Sequence, residues 1–345
     1  MYRKRLIYCM FAVFMIILFC SCQKNYKYGN NELDSSDSEN KPYLEIVGAK
    51  YIDKKDKSKG VINLYCLYSI EEDKTIMKEE LLPAKGYPVS CLDPNTKKIY
   101  YSASAGDDDY ENLFVYDRSD KSNNQLTNEK MLYNDIFFAE NKLLANVATT
   151  GKNVTQPAVI DLNDFKFKYL DENDDDTWIY SFSYSSKTKD LLCLTCSDSG
   201  MRTDKVTRVT HIRPKKICSM DLDFSNRKVL FETDKYEILE TRRLNKDKVI
   251  MVYEDSMLFS DRKIKIIDVV SKKEFDVEIE DLTVGSIYPD RTGENIYIWG
   301  EKSGQFAIFE YSLKDKKIIK TLTKKELFGD ENISIIDFKY SMLNM

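Results

Sequence analysis

One histidine, two tryptophans, 12 glycines and seven prolines in 345 residues leave several chemistries without their usual parts. Catalytic zinc centres built on three histidines, or on two histidines and a glutamate, need more than one histidine. Ser-His-Asp chemistry would have to use His211, and no G-x-S-x-G elbow accompanies it. Thr150-Gly151-Lys152 lacks both the upstream glycine and the following hydroxyl residue of a phosphate-binding loop. With glycine scarce, Asn, Asp and Lys must carry the turns. No amphipathic helical pattern stands out after Tyr43. Of eight cysteines, Cys9, Cys20 and Cys22 belong to the N-terminal segment. The five that remain, Cys66, Cys91, Cys193, Cys196 and Cys218, are an odd number and give no complete disulfide framework. Cys193-Leu-Thr-Cys196 has the spacing of a redox or zinc pair, but residues three apart on a strand point to opposite faces and no second pair exists. The formal charge is -5; without residues 1–21, which hold Arg3, Lys4, Arg5 and no acid, 49 bases face 57 acids. An acidic chain repels phosphates, so nucleic acid is not the expected partner.

What is present begins with a basic Arg3-Lys4-Arg5, an apolar run from Leu6 to Phe19, and Phe19-Cys20-Ser21-Cys22. The run is short for a membrane span, which needs about 20 apolar residues, and fits an export signal. A small residue before a cysteine at the end of such a run resembles the lipobox of bacterial lipoproteins, with Phe19 in place of the usual aliphatic residue. The resemblance implies a signal peptide at 1–21, a diacylglycerol, with palmitate-type chains, on Cys22, and an extracytoplasmic chain held at a membrane. Residues 22–42 then read as a polar, acidic tether: Gln23–Lys41 has one Leu and no Val, Ile or Phe, too little apolar surface to fold.

From residue 43 to 345 short runs of β-branched and aromatic residues alternate with polar turns. Val284–Leu322 shows the unit most openly: Ser286–Tyr288, the turn at Pro289–Gly293, Asn295–Trp299, Gln305–Tyr311 and Lys317–Leu322. Similar openings begin near Tyr87, Tyr133, Trp178, Tyr236 and Val284, at spacings of 46, 45, 58 and 48 residues. That is the repeat length of propeller blades, roughly 40–50 residues. The second halves share an Asp before a charged turn, as in Asp117, Asp161, Asp221 and Asp268, where a carboxylate bonding its own backbone starts the turn. The fold class is therefore all-β, a β-propeller of four-stranded antiparallel blades. Six blades are expected, with seven as the alternative. Ser334–Tyr340 supplies a first strand to Tyr43–Val47, Val61–Tyr68 and Thr75–Leu81, closing the ring and protecting sheet edges. The Tyr288-Pro289-Asp290 turn with Gly293 resembles the turn of TolB-like and WD-repeat-like propellers, which implies this architecture and a habit of binding proteins or ligands.

Strand parity places the second-to-third connection of each blade and the blade-to-blade connection at one end. Loops on a rigid scaffold often carry function. Two sets of candidates lie there. The acidic set, Asp107, Asp108, Asp109, Asp171, Asn173 and Asp175, offers oxygen ligands of the kind Ca²⁺ takes, although Asp176 and Phe182 stand where a calcium loop needs Gly and Glu. The basic set, Arg202, Lys205, Arg208, His211, Arg213, Lys215 and Lys216, lies in the longest insertion and reverses the local sign of charge, which suits an anionic partner. No other cofactor is implied, and a monomer is expected. The sequence reading is a lipid-anchored, non-catalytic binding scaffold at the bacterial cell surface, for a protein or an anionic envelope ligand. The alternative is an enzyme acting on envelope glycans or peptides through loop-face carboxylates.

Overall fold

The computed structural model describes residues 40–104, 110–185, 187–197, 199, 215–255, 261–343 and 345. Nearly all regular structure in it is antiparallel strand. The first sheet joins both ends of the described chain: β1 (Lys41–Tyr51), β2 (Val61–Ser69) and β3 (Lys74–Ala84) follow β24 (Ser334–Leu343) in the order β24-β1-β2-β3. An eight-stranded sheet comes next. Its first half is β4 (Ser90–Leu92), β5 (Ile99–Ser104), β6 (Glu111–Asp117) and β7 (Ser122–Gln125). Its second half is β8 (Met131–Ala139), β9 (Lys142–Thr149), β10 (Thr155–Ile160) and β11 (Phe167–Tyr169). Among the described residues, Glu111–Met131 is the one strand-register pair between the halves. Three four-stranded sheets complete the ring. They are β12 (Thr177–Ser185) to β15 (Lys228–Thr233) through β13 (Asp190–Ser197) and β14 (Lys215–Met220); β16 (Glu237–Asn245) to β19 (Glu274–Val277) through β17 (Lys248–Glu254) and β18 (Lys263–Asp268); and β20 (Leu282–Pro289) to β23 (Lys317–Thr323) through β21 (Asn295–Lys302) and β22 (Gln305–Ser312). A short helix, α1 (Lys324–Phe328), lies between β23 and β24; Thr323 and Glu326 form its capping box.

β1 pairs with β24 over most of its length, from Lys41 opposite Leu343 to Ala49 opposite Ser334. The expected closure by the two ends of the folded part is thus present. The inner and middle strands are mostly buried on both faces because neighbouring sheets pack face to face, whereas outer strands such as β7 and β19 are largely exposed. Phe137, Phe182, Cys193 and Cys218 fill one such interface; Tyr288, Tyr297, Phe338 and Tyr340 fill another. Polar staples cross the interfaces: Arg118 Nε donates to Glu79 (3.0 Å), Arg243 pairs with Asp190 (2.6 Å), and Asn95 Nδ2 donates to Asn141 (2.8 Å).

The turns use the residues expected of them. Asp117, Asp161 and Asp268 each accept the N–H two residues on. Asp290 Oδ1 accepts the Gly293 N–H at 2.7 Å. Gly293 sits at φ +75°, and a Cβ there would fall 2.6 Å from the Leu244 carbonyl of the preceding sheet, so glycine serves both the turn and the close approach.

Cys193 stands opposite Cys218 in the β13–β14 ladder, whereas Cys196 stands opposite Trp178 in the β12–β13 ladder. Leu191 and Cys193 pack in one core cluster and Leu192 and Leu194 in another, so β13 alternates regularly and Cys196, three residues on, lies on the face opposite Cys193.

Candidate binding face

Parity fixes which connections share an end, and hydrogen bonds tie them together there. Asn153, in the β9–β10 connection, donates its N–H and its side-chain N–H to Asp175, both at 2.7 Å. Lys152 Nζ reaches the Glu172 carbonyl (2.7 Å) and Gln156 Nε2 that of Asp174 (2.6 Å). Asp176 accepts the Ser199 N–H at 2.6 Å and the Ser197 hydroxyl. One surface thus gathers the β9–β10 connection, the β11–β12 connection and the start of the β13–β14 connection. We call it the loop face. β24 runs away from it, from Ser334 to Leu343, so antiparallel β1 starts at Lys41 on the opposite face.

Asp171, Asp174, Asp175 and Asp176 of the loop face each accept hydrogen bonds from nearby residues. Asp171 accepts the Asn173 N–H (3.2 Å). Burial pushes the Asp174 carboxyl up, but the N–H groups of Asp176 and Thr177 outweigh it and hold the group below its ordinary value. Asp175 is turned to Asn153. Among the described residues no three His, Cys, Asp or Glu side chains are grouped as metal ligands. Asp107, Asp108 and Asp109 lie outside the described residues. The cavity between Gln156, Asp171, Asp174 and Arg227 is about 20 Å³, room for about one water.

Arg202, Lys205, Arg208, His211 and Arg213 of the basic set, and Cys22, also lie outside the described residues. The other two members differ from each other. Lys216 is half-exposed, 3.5 Å from Glu232. Lys215, grouped with the exposed bases from its sequence context, has a fully buried side chain: it pairs with Glu237 at 2.7 Å and sits 3.3 Å from the centre of the Tyr180 ring. It opens strand β14, and strand alternation turns it inward. It holds the scaffold together and presents no charge outward.

Around Lys215 the structure builds a group that the sequence pattern did not single out. Glu237 and Glu254 are cross-strand partners. Arg262 Nε donates to Glu254 (3.1 Å) and its NH1 group to the Gly285 carbonyl (3.2 Å). Burial raises the Glu254 carboxyl, Arg262 pulls it back, and Glu237 adds to the rise. Over this group lies Tyr180, 38% exposed, beside Trp178 (ring centroids 6.3 Å apart). Tyr180 is the extra residue of a β-bulge between Ile179 and Ser181, and such bulges re-aim side chains.

The same irregularity recurs on other inner strands, between Tyr133 and Asp135, Ile238 and Glu240, and Val284 and Ser286, and opposite the Val47/Gly48 step, where Ile336 is the extra residue. The residue after each bulge is polar and buried: Asp135, Ser181, Glu240, Ser286 and Asp337. These line the hub. Ser181 Oγ accepts the Thr241 N–H (3.3 Å) and an Arg242 N–H (3.1 Å). Glu240 accepts from Ser286 Oγ and the Ile287 N–H, both at 3.2 Å, and pairs with Arg242. Lys339 Nζ donates to the carbonyls of Ser90 (2.6 Å) and Ile136 (2.9 Å), crossing to two other inner strands. Burial lifts the Glu240 carboxyl to about 7 against the pull of Arg242. The bulge breaks period-two alternation at the residue that matters, so parity counting could not have found this ring.

These sheets define the class: the chain is a β-propeller. No protein-family model and no curated protein sequence matches it. Solved structures do. TolB from Acinetobacter baumannii superposes with a TM-score of 0.55 at 14% identity, over 86% of this chain and 66% of that one. A chain of a nidogen/laminin complex gives 0.55 at 9% identity, over 88% and 99%. An oligogalacturonate lyase in complex with manganese gives 0.50 at 13% identity, over 82% and 74%. At these identities the likeness is one of fold.

Proposed function

We propose that this chain is a lipid-anchored, extracytoplasmic propeller that acts as a non-catalytic binding scaffold at the bacterial cell surface. Its eight-stranded sheet counts as two blades joined at one register pair, which makes six blades closed by β24 and β1. The observation that carries the reading is the direction of β1. Lys41, where the tether from Cys22 would enter, begins at the face opposite the loop face. A chain fixed by a lipid on Cys22 would stand with its turns toward the bilayer and its loop face outward. The 18 residues from Gln23 to Asn40 would give a flexible reach of roughly 20–25 Å. The strands on either side of the basic insertion end on that outward face, at Ser197 and Lys215. An outward basic segment on an acidic body suits an anionic envelope polymer or an acidic protein surface.

The test is binding of full-length protein, freed of its signal segment, to a soluble envelope polyanion at two salt concentrations. Arg208→Glu with Arg213→Glu is expected to weaken binding at least tenfold and flatten its salt dependence. Unchanged binding and unchanged salt response would discard the basic set as the contact. Turnover of a glycan or peptide that is lost with loop-face carboxylates would replace the scaffold reading with the enzymatic one.

A further inference from the structure

Cys193 and Cys218 are direct cross-strand partners on β13 and β14. Both are fully buried and belong to one core cluster with Phe137 and Phe182, so both side chains lie on the same face of the sheet. Directly opposed residues of an antiparallel pair have Cα atoms about 4.5 or 5.5 Å apart, depending on the hydrogen-bonding position. Both values fall in the range that a disulfide spans, about 4.4–6.8 Å. The other cysteines have different neighbours. Cys196 lies opposite Trp178, Cys66 opposite Ile46 and Lys78, and Cys91 opposite Tyr100. Among the five, the register brings together this one cross-strand pair.

We infer that Cys193 and Cys218 form a cross-strand disulfide when the chain folds under oxidising conditions, and that it clamps the base of the β13–β14 connection that carries the basic insertion. That it forms in the cell rests on the extracytoplasmic reading above; that the two sulfurs pair does not. Full burial means the bond is made before the sheet packs against its neighbours. One thiolate attacks the disulfide of a dithiol–disulfide oxidant and forms a mixed disulfide. The second thiolate displaces the oxidant as its dithiol. The two cysteines lose two electrons and two protons, and the oxidant's disulfide is reduced. The bond encloses residues 194–217, whose ends would otherwise be joined by hydrogen bonds alone. The competing pair, Cys193 with Cys196, is excluded by their opposite faces.

The experiment refolds denatured, reduced chain in a mixture of reduced and oxidised glutathione, blocks remaining thiols, and maps peptides by mass spectrometry without reduction. The expected product is a Cys193–Cys218 linked peptide pair, lighter by two hydrogens, with Cys66, Cys91 and Cys196 blocked. Cys196→Ser should keep the link. The oxidised wild type should melt roughly 5 °C or more above its reduced form, and Cys218→Ser should show no such difference. Blocked thiols at both Cys193 and Cys218 in a chain with the native circular dichroism spectrum would overturn the pairing, as would a Cys193–Cys196 link. A pair that links on refolding but is found reduced in the native cell would leave the pairing standing and count against the extracytoplasmic reading.

Discussion

Glu240 and Arg242, two residues apart on one inner strand, form an ion pair with 0% and 1% of their side chains exposed. Arg242 also reaches Ser181 on the preceding sheet, and Glu240 reaches Ile287 on the following one. The pair thus links three sheets at the hub. Breaking one member of a buried pair leaves an uncompensated charge, at a cost of about 3–5 kcal/mol. At pH 8, Arg242→Met is expected to lower unfolding free energy by that order in a urea titration. Adding Glu240→Leu should restore part of it. A single variant within about 0.5 kcal/mol of wild type would show that the pair does not join the sheets.

The same carboxyl gives a pH dependence. Glu240 titrates near 7 in the folded chain against 4.5 ordinarily, because burial opposes its charge more than Arg242 favours it. Between those values the folded chain holds a proton that the unfolded chain has lost. Stability should therefore fall as pH rises from about 4.5 to 7, by on the order of 2–3 kcal/mol, and level off above. Asp53, Asp73 and Asp164, held below their ordinary values by partner lysines, act in the opposite direction at lower pH. Glu240→Gln should flatten the fall between pH 5 and 7. An unaltered slope in that variant would remove Glu240 as its source.

Gly293 tests the contact between neighbouring sheets. Its positive φ opposes a side chain, and so does the Leu244 carbonyl, 2.6 Å from where a Cβ would lie. Gly293→Ala should destabilise by about 1–3 kcal/mol, whereas Gly304→Ala, also at positive φ but with nothing nearby, should cost less. Equal losses would mean that backbone strain alone sets the cost.

Asp175 tests how the loop face is held. Asp175→Ala removes both Asn153 hydrogen bonds, and exchange of the Asn153 amide should quicken by roughly 5–10-fold. Millimolar calcium should leave wild-type exchange at Asn153 unchanged, since Asp175 already serves that turn. Protection on adding calcium would restore Asp171, Asn173 and Asp175 as ligands.

Blade openings were legible because each couples an apolar strand to an Asn, Asp or Lys turn, and the observed inner strands begin within a few residues of Tyr87, Tyr133, Trp178, Tyr236 and Val284. Closure was legible because Ser334–Tyr340 had no partner nearby in sequence. The hub was not. Asp135, Glu240 and Asp337 each look like one more surface acid, and a bulge immediately before them hides which way they face. Lys215 misled for a related reason: its neighbours in sequence are basic, but its neighbours in space, Glu237 and Tyr180, come from other strands. One-dimensional patterns report the face of a regular strand and say little about partners brought in by packing between sheets.

The ring is closed by the union of the first and last strands. Ala49 and Ser334 are register partners at the loop-face end of that union. In a chain with Ala49→Cys and Ser334→Cys, mild oxidation is expected to give an intramolecular link between residues 49 and 334, found by peptide mapping, in a protein that remains monomeric. Failure to link in a folded chain, or links formed only between two chains, would contradict a ring closed by its own ends.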